Sequence, residues 1–261
     1  MLSSALQTVL PFFSSAAIVI IILLIAEKYG TKVGGIIGTI PTTVIIAYVF
    51  ISLNQGLLFA SKSVAVVPAE MGVNLLFICV FAVLAYHSTF VALFGSFSIW
   101  VVLSAILFFI DMHYIYPSLI IFIVSMALTF VFLEKKLRIR SQGKRVVHYT
   151  PLKIFLRGIM TGVIITISVL LSNFGEVLSG IFTVFPVIFS STMIITLKEH
   201  GPDFSAGIAK SMIFGSPSIA SYAVAIHFLY PIYDIFWGSV FAFIISVIIT
   251  LILLKFREKI S

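Results

Sequence analysis

Long apolar runs recur along this chain and constrain its fold more than any other feature. About 20 apolar residues of helix cross a bilayer core about 30 Å thick, and runs of that length follow one another closely. Hydrophobic residues make up 61% of the chain and charged residues 10%, and the mean hydropathy is +1.24. Too few polar side chains remain to cover a surface in water. The chain is therefore predicted to be an integral membrane protein, which excludes disordered proteins, disulfide scaffolds and nucleic-acid binders.

The apolar runs predict an all-α polytopic protein with nine membrane-spanning helices. No polar stretch is longer than 134–151, which is too short for a domain, so residues 1–261 are predicted to form a single membrane domain. The third helix is interrupted by Pro68, Glu70 and Asn74. The predicted helices are 8–27, 34–53, 63–86, 89–110, 115–133, 153–172, 178–197, 211–230 and 233–254.

Basic residues lie almost entirely on one predicted side of the membrane. With the N-terminus outside, fifteen of the 16 Lys and Arg residues fall inside, and Lys62 alone falls outside. Because cytoplasmic loops are enriched in basic residues, the N-terminus is predicted outside and the C-terminus in the cytoplasm, in the cell (inner) membrane. The inside set is Lys28, Lys32, Lys135, Lys136, Arg138, Arg140, Lys144, Arg145, Lys153, Arg157, Lys198, Lys210, Lys255, Arg257 and Lys259.

An ordered series of matches divides the chain into two similar halves. Repeat one covers 8–110 and repeat two covers 153–255, joined by a linker helix (115–133) and a basic cytoplasmic loop (134–152). Four helices plus one linker helix place the second repeat upside down, which predicts two inverted-topology four-helix repeats, a common plan of secondary transporters. The matched pairs are Gly30 and Gly175, Gly35–Pro41 and Gly180–Pro186, Gly56 and Gly201, Lys62-Ser63 and Lys210-Ser211, Pro68 and Pro217 after a small insertion, and Phe94–Ser96 and Trp237–Ser239.

The second half also resembles a known family. The motifs that carry this resemblance are Gly180–Pro186, His200-Gly201, Ala209-Lys210-Ser211, Ser218-Ile219 with Tyr222, and Gly238-Ser239. They are similar to those of the GlpM family of small four-helix bacterial inner-membrane proteins. The resemblance covers about 175–254 well and about 30–110 more weakly, so the chain resembles two such units fused through a linker helix. It implies a membrane protein built from four-helix units and leaves the function open.

Small residues and prolines recur at matching places in the two halves. Gly34 and Gly38 match Ser179 and Thr183 at helical spacing, which indicates either close helix packing or the wall of a pore or site. The prolines predict bent or broken helices, because proline removes a main-chain hydrogen bond and such breaks are tolerated only against protein or water. Simple packing kinks are the alternative. The four prolines are Pro41, Pro68, Pro186 and Pro217.

Two lysine–serine pairs are candidates for binding solute. Lys62-Ser63 and Lys210-Ser211 each follow a polar turn, and Lys62 breaks the positive-inside pattern. Both lysines can snorkel to lipid headgroups. Alternatively, the two ammonium groups and the neighbouring hydroxyls face an aqueous cavity and bind an anion.

Glu70 is the one carboxylate well inside a predicted span, so it is a candidate for proton coupling. Ser63, Glu70 and Asn74 are predicted to share one helix face, and Asn74 joins the candidate solute site. A structural ion pair between Lys62 and Glu70 is the alternative. The second half has no matching carboxylate.

The leading functional hypothesis is a secondary transporter or exchanger of a small, possibly anionic solute. An ion channel and a non-transporting accessory or scaffold subunit of a membrane complex are the alternatives. The histidines have no metal-ligand spacing, and no phosphate loop or dinucleotide fingerprint is present. We therefore expect no enzyme activity, no metal and no cofactor, with the lipid bilayer and a small solute or ion as partners and no nucleic acid. The sequence leaves the oligomeric state open.

Overall fold

The computed structural model of the chain describes residues 4–37, 41–136 and 150–260, and all regular secondary structure in these ranges is helical. A 3₁₀ turn covers Val64–Val66, between the third and fourth helices, and a π-helical turn covers Phe132–Lys136, after the sixth. The helices are α1 (Ser4–Ile37), α2 (Thr42–Gln55), α3 (Leu57–Ser63), α4 (Val67–Leu84), α5 (Thr89–Phe109), α6 (Ile115–Val131), α7 (Pro151–Leu171), α8 (Glu176–Thr183), α9 (Val187–His200), α10 (Pro202–Leu229) and α11 (Ile235–Ile260).

Within the described ranges, seven helical segments are long and apolar enough to cross a membrane. The prediction of an all-α, multi-pass membrane protein is thus confirmed. The first two of the nine predicted spans correspond to shorter apolar segments, Leu6–Ile22 and Thr42–Gln55. The seven segments are Leu57–Leu84, Thr89–Phe109, Ile115–Lys135, Pro151–Leu171, Glu176–His200, Pro202–Leu229 and Ile235–Leu253.

Helix lengths and caps recur at a constant spacing of 145 residues. The 14-residue helix α2 (Thr42–Gln55) matches the 14-residue helix α9 (Val187–His200), and the segment Leu57–Leu84 matches α10 (Pro202–Leu229) at both ends. The glycines that precede the longer segments, Gly56 and Gly201, have φ of 89° and 84°. These positive φ values favour glycine, which explains why both turns carry it.

The equal helix lengths correct part of the sequence alignment. Lys62 is the sixth residue after Gly56, whereas Lys210 is the ninth after Gly201. Because the segments begin and end at the same spacing, they leave no room for the insertion that the alignment required. The two lysines therefore occupy different positions, and so do Pro68 and Pro217, which lie in the first turn of α4 and inside the continuous helix α10.

The helix break predicted at Pro186 is present. Helix α8 ends at Thr183, α9 begins at Val187, and the buried Pro186 caps α9 with φ −75° and ψ 41°. Pro41 caps α2 with nearly the same angles, −78° and 42°. Gly38 lies outside the described residues, as do the surroundings of Gly34.

The segment formed by α3 and α4 lies at the centre of the molecule. In its most apolar stretch 83% of the residues are buried, whereas the corresponding shares for α5, α6 and α11 are 22% to 28%. Helix α1 packs along α7, α4 packs along α10, α5 touches α9, and α11 touches α2. The α1–α7 contact is close because Gly158 and Gly162 present no side chain to Ile20 and Phe12. Interior sites are therefore expected beside α3 and α4.

Polar contacts between helix ends define two opposite faces of the molecule. Some of these contacts are ion pairs between two residues of the same face, such as Lys62 with Glu176 and Lys153 with Glu199. The residues of one face fall on the side predicted to be outside, and those of the other face fall on the side predicted to be cytoplasmic. Face I is formed by Asn54, Ser61, Lys62, Ser172, Glu176 and His227; face II is formed by Tyr86, Glu134, Lys153, Glu199, Asp203 and Lys210.

Candidate functional site

A group of hydroxyls, all buried except the half-buried Ser239, lies where the two halves of the chain meet. The phenol of Tyr48 on α2 lies beside Ser63 and Thr183, and the phenol of Tyr222 on α10 lies beside Tyr230 and Ser239. We call this group the hydroxyl cluster; its members are Tyr48, Ser63, Thr183, Tyr222, Tyr230 and Ser239.

Several of these hydroxyls have unused hydrogen-bonding capacity. The side chains of Tyr48, Ser63 and Tyr222 are fully buried, and their oxygens form no hydrogen bond of acceptable geometry with any described residue. By contrast, Tyr230 and Ser239 share a hydrogen bond of 2.8 Å. Because buried polar groups are nearly always paired, three unpaired hydroxyls in one group indicate a place where a polar ligand can bind.

The depth of the cluster suits a solute site reached from face I. At a rise of about 1.5 Å per residue, Tyr48 and Tyr222 lie about 10 Å below the ends of α2 and α10. Hydroxyls donate and accept hydrogen bonds without carrying charge. The cluster can therefore bind a small polar solute through several hydrogen bonds.

The three residues predicted to share one helix face contact different elements. Ser63 lies against α2 and α8, whereas Glu70 contacts α5 and Asn74 contacts the α8–α9 break. The 3₁₀ turn at 64–66 lies between Ser63 and the other two. A 3₁₀ helix has 3.0 residues per turn and an α-helix 3.6, so three 3₁₀ residues rotate the side chains that follow by about 60° more than an α-helix would. The prediction of one shared face assumed an uninterrupted helix and is therefore wrong.

Glu70 lies near the middle of its span, about 20 Å from either end at 1.5 Å per residue. Its carboxyl is fully buried and accepts a hydrogen bond of 2.8 Å from Ser104 through Oε1. The indole of Trp100 lies beside it. Neither Oε2 of Glu70 nor Nε1 of Trp100 forms a regular hydrogen bond with a described residue. An intramembrane carboxyl of this kind is a functional candidate.

Asn74 contacts the break in the second half of the chain. Its Nδ2 donates to the main-chain oxygen of Val184 at 2.7 Å, and Asn74 is fully buried. The rings of Phe182 and Phe185, on either side of Val184, make edge-to-face contacts with Trp100 at centroid distances of 6.2 and 4.8 Å. The α8–α9 break is therefore linked to both Asn74 and the neighbour of Glu70.

The two candidate lysines are not brought together. Lys62 is 3.9 Å from Glu176 on face I, with 54% of its side chain exposed. Lys210 pairs with Glu134 on face II, and the neighbouring Ser211 donates to the Gly207 carbonyl of its own helix. The alternative pair of Lys62 with Glu70 is not formed, since Lys62 pairs with Glu176 and Glu70 accepts from Ser104. These positions remove the geometric basis for a single anion site formed by both lysines.

The small residues of α8 have a packing role. Ser179 donates to the Ser168 carbonyl on α7, and Ser168 shares a hydrogen bond of 2.8 Å with Thr183. On another side of α8, a Cβ added to Gly180 would lie 2.3 Å from the Ser63 carbonyl oxygen. Helix α8 is thereby held between α7 and α3, which fits the interpretation of this pattern as close packing.

Three interior residues are not predicted by the sequence. Nothing in the sequence distinguishes Tyr48 from aromatics that face lipid, and Tyr230, beside Asp234, resembles an anchor at the membrane interface. Arg157, assigned to the inside face, lies two turns into α7 with 5% of its surface exposed and donates to Thr192 at 2.9 Å. Its place inside the predicted helix 153–172 was the available signal, since a cation within a span is costly.

No protein family model, no curated protein and no solved structure matches this chain. Among the described residues, no group of three or more His, Cys, Asp or Glu side chains is arranged to hold a metal ion. The features of the described residues that point to a function are the hydroxyl cluster, Glu70 and the α8–α9 break.

Proposed function

We propose that this protein is a secondary transporter or exchanger of a small polar solute, with its solute site at the hydroxyl cluster and Asn74. The observation that carries this proposal is the set of buried, unpaired hydroxyls of Tyr48, Ser63 and Tyr222 between the two halves. Transporters with internal repeats bind their solutes near such interfaces, beside discontinuous helices.

We further propose that the halves are inverted repeats in the cell membrane, with face I outside and face II in the cytoplasm. The constant spacing between matching helix ends supports two equivalent units, and the single linker α6 would reverse the second. The contacts of α1 with α7 and of α4 with α10 pair each element with its counterpart, as expected for a two-fold relation. The resemblance to fused GlpM-like units belongs to the same proposal.

Glu70 is the proposed proton-coupling residue. It lies at mid-span with no described ion-pair partner. Since an unpaired charge at this depth is costly, a change in its charge must accompany a change in its surroundings. Trp100 and Asn74 connect those surroundings to the helix break. Proton binding at Glu70 would thereby be coupled to the shape of the solute site.

The solute class follows from the site rather than from the lysines. Lys62 and Lys210 are each paired with a carboxylate on opposite faces, so they provide no shared attraction for an anion. The hydroxyls and the amide of Asn74 are neutral. A solute with several hydrogen-bonding groups is therefore the proposed cargo.

The test is proton movement driven by solute in reconstituted vesicles. Vesicles containing purified protein and a trapped pH dye are exposed to sugars, amino acids and small carboxylates in turn. One class of solute should change the internal pH with wild type, and this change should disappear with Glu70→Gln and weaken with Tyr48→Phe. Tyr114→Phe, an exposed tyrosine substitution, is the matched control.

Three outcomes would contradict the proposal. Uptake that leaves Glu70→Gln unimpaired would remove the proton-coupling role. Currents far above about 10³ ions per second, beyond ordinary turnover rates, would indicate a channel instead. If none of the tested solutes is taken up and a partner protein co-purifies stably, the protein is better described as an accessory subunit.

A further inference from the structure

The two halves of the chain close their ends with contacts at equivalent positions but of different chemistry. Asn54 is the next-to-last residue of α2, and its Oδ1 accepts a hydrogen bond from Gln7 in the first turn of α1. Glu199 is the next-to-last residue of α9, and it pairs with Lys153 in the first turn of α7. Asn54 and Glu199 are separated by the same 145 residues as the matching helix ends.

The contact on face I consists of neutral amides and hydroxyls. Asn54 also donates to Ser172 at 3.1 Å, and Gln55 donates to Asn173 at 2.8 Å. These bonds tie α1, α2 and the end of α7 together. Asn54 and Ser172 are buried, and each side chain named in this contact is uncharged.

The contact on face II is ionic. Lys153 and Glu199 have 35% and 21% of their side chains exposed, and Lys210 pairs with Glu134 on the same face. One turn deeper than Lys153, Arg157 donates to Thr192 on α9. The α7–α9 contact at this end is therefore formed by charged groups.

We propose that Gln7–Asn54 and Lys153–Glu199 are latches that close the two ends of the molecule, and that only the face II latch is electrostatic. The inference deepens the proposed transport function and rests on it. Alternating access requires each end to open in turn. Separation of a partly exposed ion pair becomes easier as salt screens it, whereas separation of amides does not depend on salt in this way. Salt would then weaken the face II latch and leave the face I latch unchanged.

Two matched reporter positions make the latches separable by experiment. Ala47 and Thr192 lie seven residues, or about two turns, before Asn54 and Glu199 on their helices, and they are separated by the same 145 residues. The chain has one cysteine, Cys79, so Cys79→Ala provides the background. Ala47→Cys or Thr192→Cys is then introduced singly, and the protein is placed in nanodiscs, where a water-soluble maleimide reaches both faces. Because Thr192→Cys replaces the hydroxyl to which Arg157 donates, each rate is compared only with that of the same reporter cysteine in the protein with its native latch.

The measured quantity is the labelling rate of each reporter cysteine. Glu199→Gln should raise the labelling rate at Thr192→Cys up to about fivefold, the upper end of the range expected for loss of a partly exposed ion pair, and leave the rate at Ala47→Cys unchanged. Asn54→Ala should raise the labelling rate at Ala47→Cys and leave the rate at Thr192→Cys unchanged. The charge swap Lys153→Glu with Glu199→Lys should restore the slow rate. Salt of about 1 M, at which the screening length is about 3 Å, should accelerate only Thr192→Cys in the protein with its native latch.

The control is Lys198→Gln, which removes an exposed charge beside the latch and should alter neither rate. An unchanged rate at Thr192→Cys in Glu199→Gln and at high salt would overturn the proposal, and so would an equal increase at both reporters. Because labelling requires no solute, the two proposals can fail separately. If the labelling rates change as expected but no solute is transported, only the transport proposal is refuted. If solute is transported but the labelling rates do not change as expected, only the latch proposal is refuted.

Discussion

Asn74 on α4 donates its side-chain amide to the main-chain oxygen of Val184, 2.7 Å away, across the interface between the two halves of the chain. Val184 lies between the end of α8 and the beginning of α9. Broken helices leave main-chain carbonyls without helical partners, and inside a membrane these must be satisfied by other groups. Asn74 therefore stabilises the break as well as belonging to the proposed solute site.

Replacing Asn74 with alanine should destabilise the protein measurably. The substitution leaves the Val184 oxygen buried without its partner, and such a loss costs about 1–3 kcal/mol. Thermal unfolding in detergent, followed by circular dichroism, provides the measurement. His87→Ala, which removes an exposed polar side chain after the end of α4, should change the stability by less than about 0.5 kcal/mol. Equal effects of the two substitutions would contradict the role assigned to Asn74.

Gly180 should not tolerate even one added methyl group. Its Cβ would lie 2.3 Å from the Ser63 oxygen and 2.5 Å from Val66 Cγ1, so α8 and α3 would have to separate. Overpacking of this kind costs about 1–3 kcal/mol, and Gly180→Ala should lower the unfolding temperature accordingly.

Gly95→Ala provides the matched comparison for Gly180→Ala. Its Cβ would lie 2.4 Å from Leu84 Cδ1, a similar distance, but that atom is the end of a side chain that can change rotamer. Gly95→Ala should therefore have the smaller effect. A larger loss of stability at Gly95 would show that the contact with the Ser63 carbonyl does not restrict α8.

The general architecture was predictable because the bilayer imposes a length on apolar helices. The break at Pro186 was also predictable, since proline lacks the N–H that continues a helix. The unequal positions of Lys62 and Lys210 were not, because a local match of two residue types does not establish the register of the helix that contains them.

The interior of the candidate site was harder to predict for a physical reason. In a membrane protein, lipid-facing and core-facing side chains are both apolar, so hydrophobic periodicity does not separate Tyr48 and Tyr230 from aromatics that face lipid. Ser63 was identified from its neighbour Lys62 rather than from its own surroundings. Its position relative to Glu70 depends on a 3₁₀ turn that residue spacing did not indicate.

Lys62→Ala should have little effect on stability. The side chain is 54% exposed and its distance to Glu176 is 3.9 Å, and exposed ion pairs contribute between about 0 and 1 kcal/mol. Unfolding temperature and solute uptake should both remain near wild type, with Glu176→Gln as the matched substitution of the partner. Loss of uptake in Lys62→Ala but not in Glu176→Gln would show that Lys62 belongs to the solute site.

Tyr86 should make stability depend on pH in the alkaline range. Its hydroxyl donates to Asp203 on face II, and burial together with this carboxylate raises the pKa of Tyr86 from 10.0 to about 12. The folded protein then holds the phenol proton more tightly than the unfolded chain. The resulting stabilisation is complete below pH 10 and is lost as pH rises toward the folded-state pKa of about 12.

Thermal unfolding of wild type and Tyr86→Phe across this pH range tests the effect. The difference in stability between the two should shrink between pH 10 and about 12, whereas Tyr114→Phe, at an exposed position, should give a constant difference. A difference between wild type and Tyr86→Phe that stays constant across this range would mean that the Tyr86–Asp203 contact does not stabilise the folded state.

Trp100 should report the charge of Glu70 directly. The chain has two tryptophans, and Trp237 is 50% exposed whereas Trp100 is 5% exposed. In Trp237→Phe protein, the emission therefore comes from the indole beside the Glu70 carboxyl. Because a charge acts strongly on a neighbouring dipole in a low-dielectric interior, a change in the charge of Glu70 should alter the emission.

The measurement is the emission of Trp237→Phe protein as a function of pH, compared with the same protein carrying Glu70→Gln. The first should vary with pH, and the second should not. Glu176→Gln, which removes a partly exposed carboxylate on face I, should retain the dependence. Emission that is independent of pH while Glu70 is present would mean that the carboxyl does not change charge in the folded protein, and proton coupling through Glu70 would have to be abandoned even if solute uptake were observed.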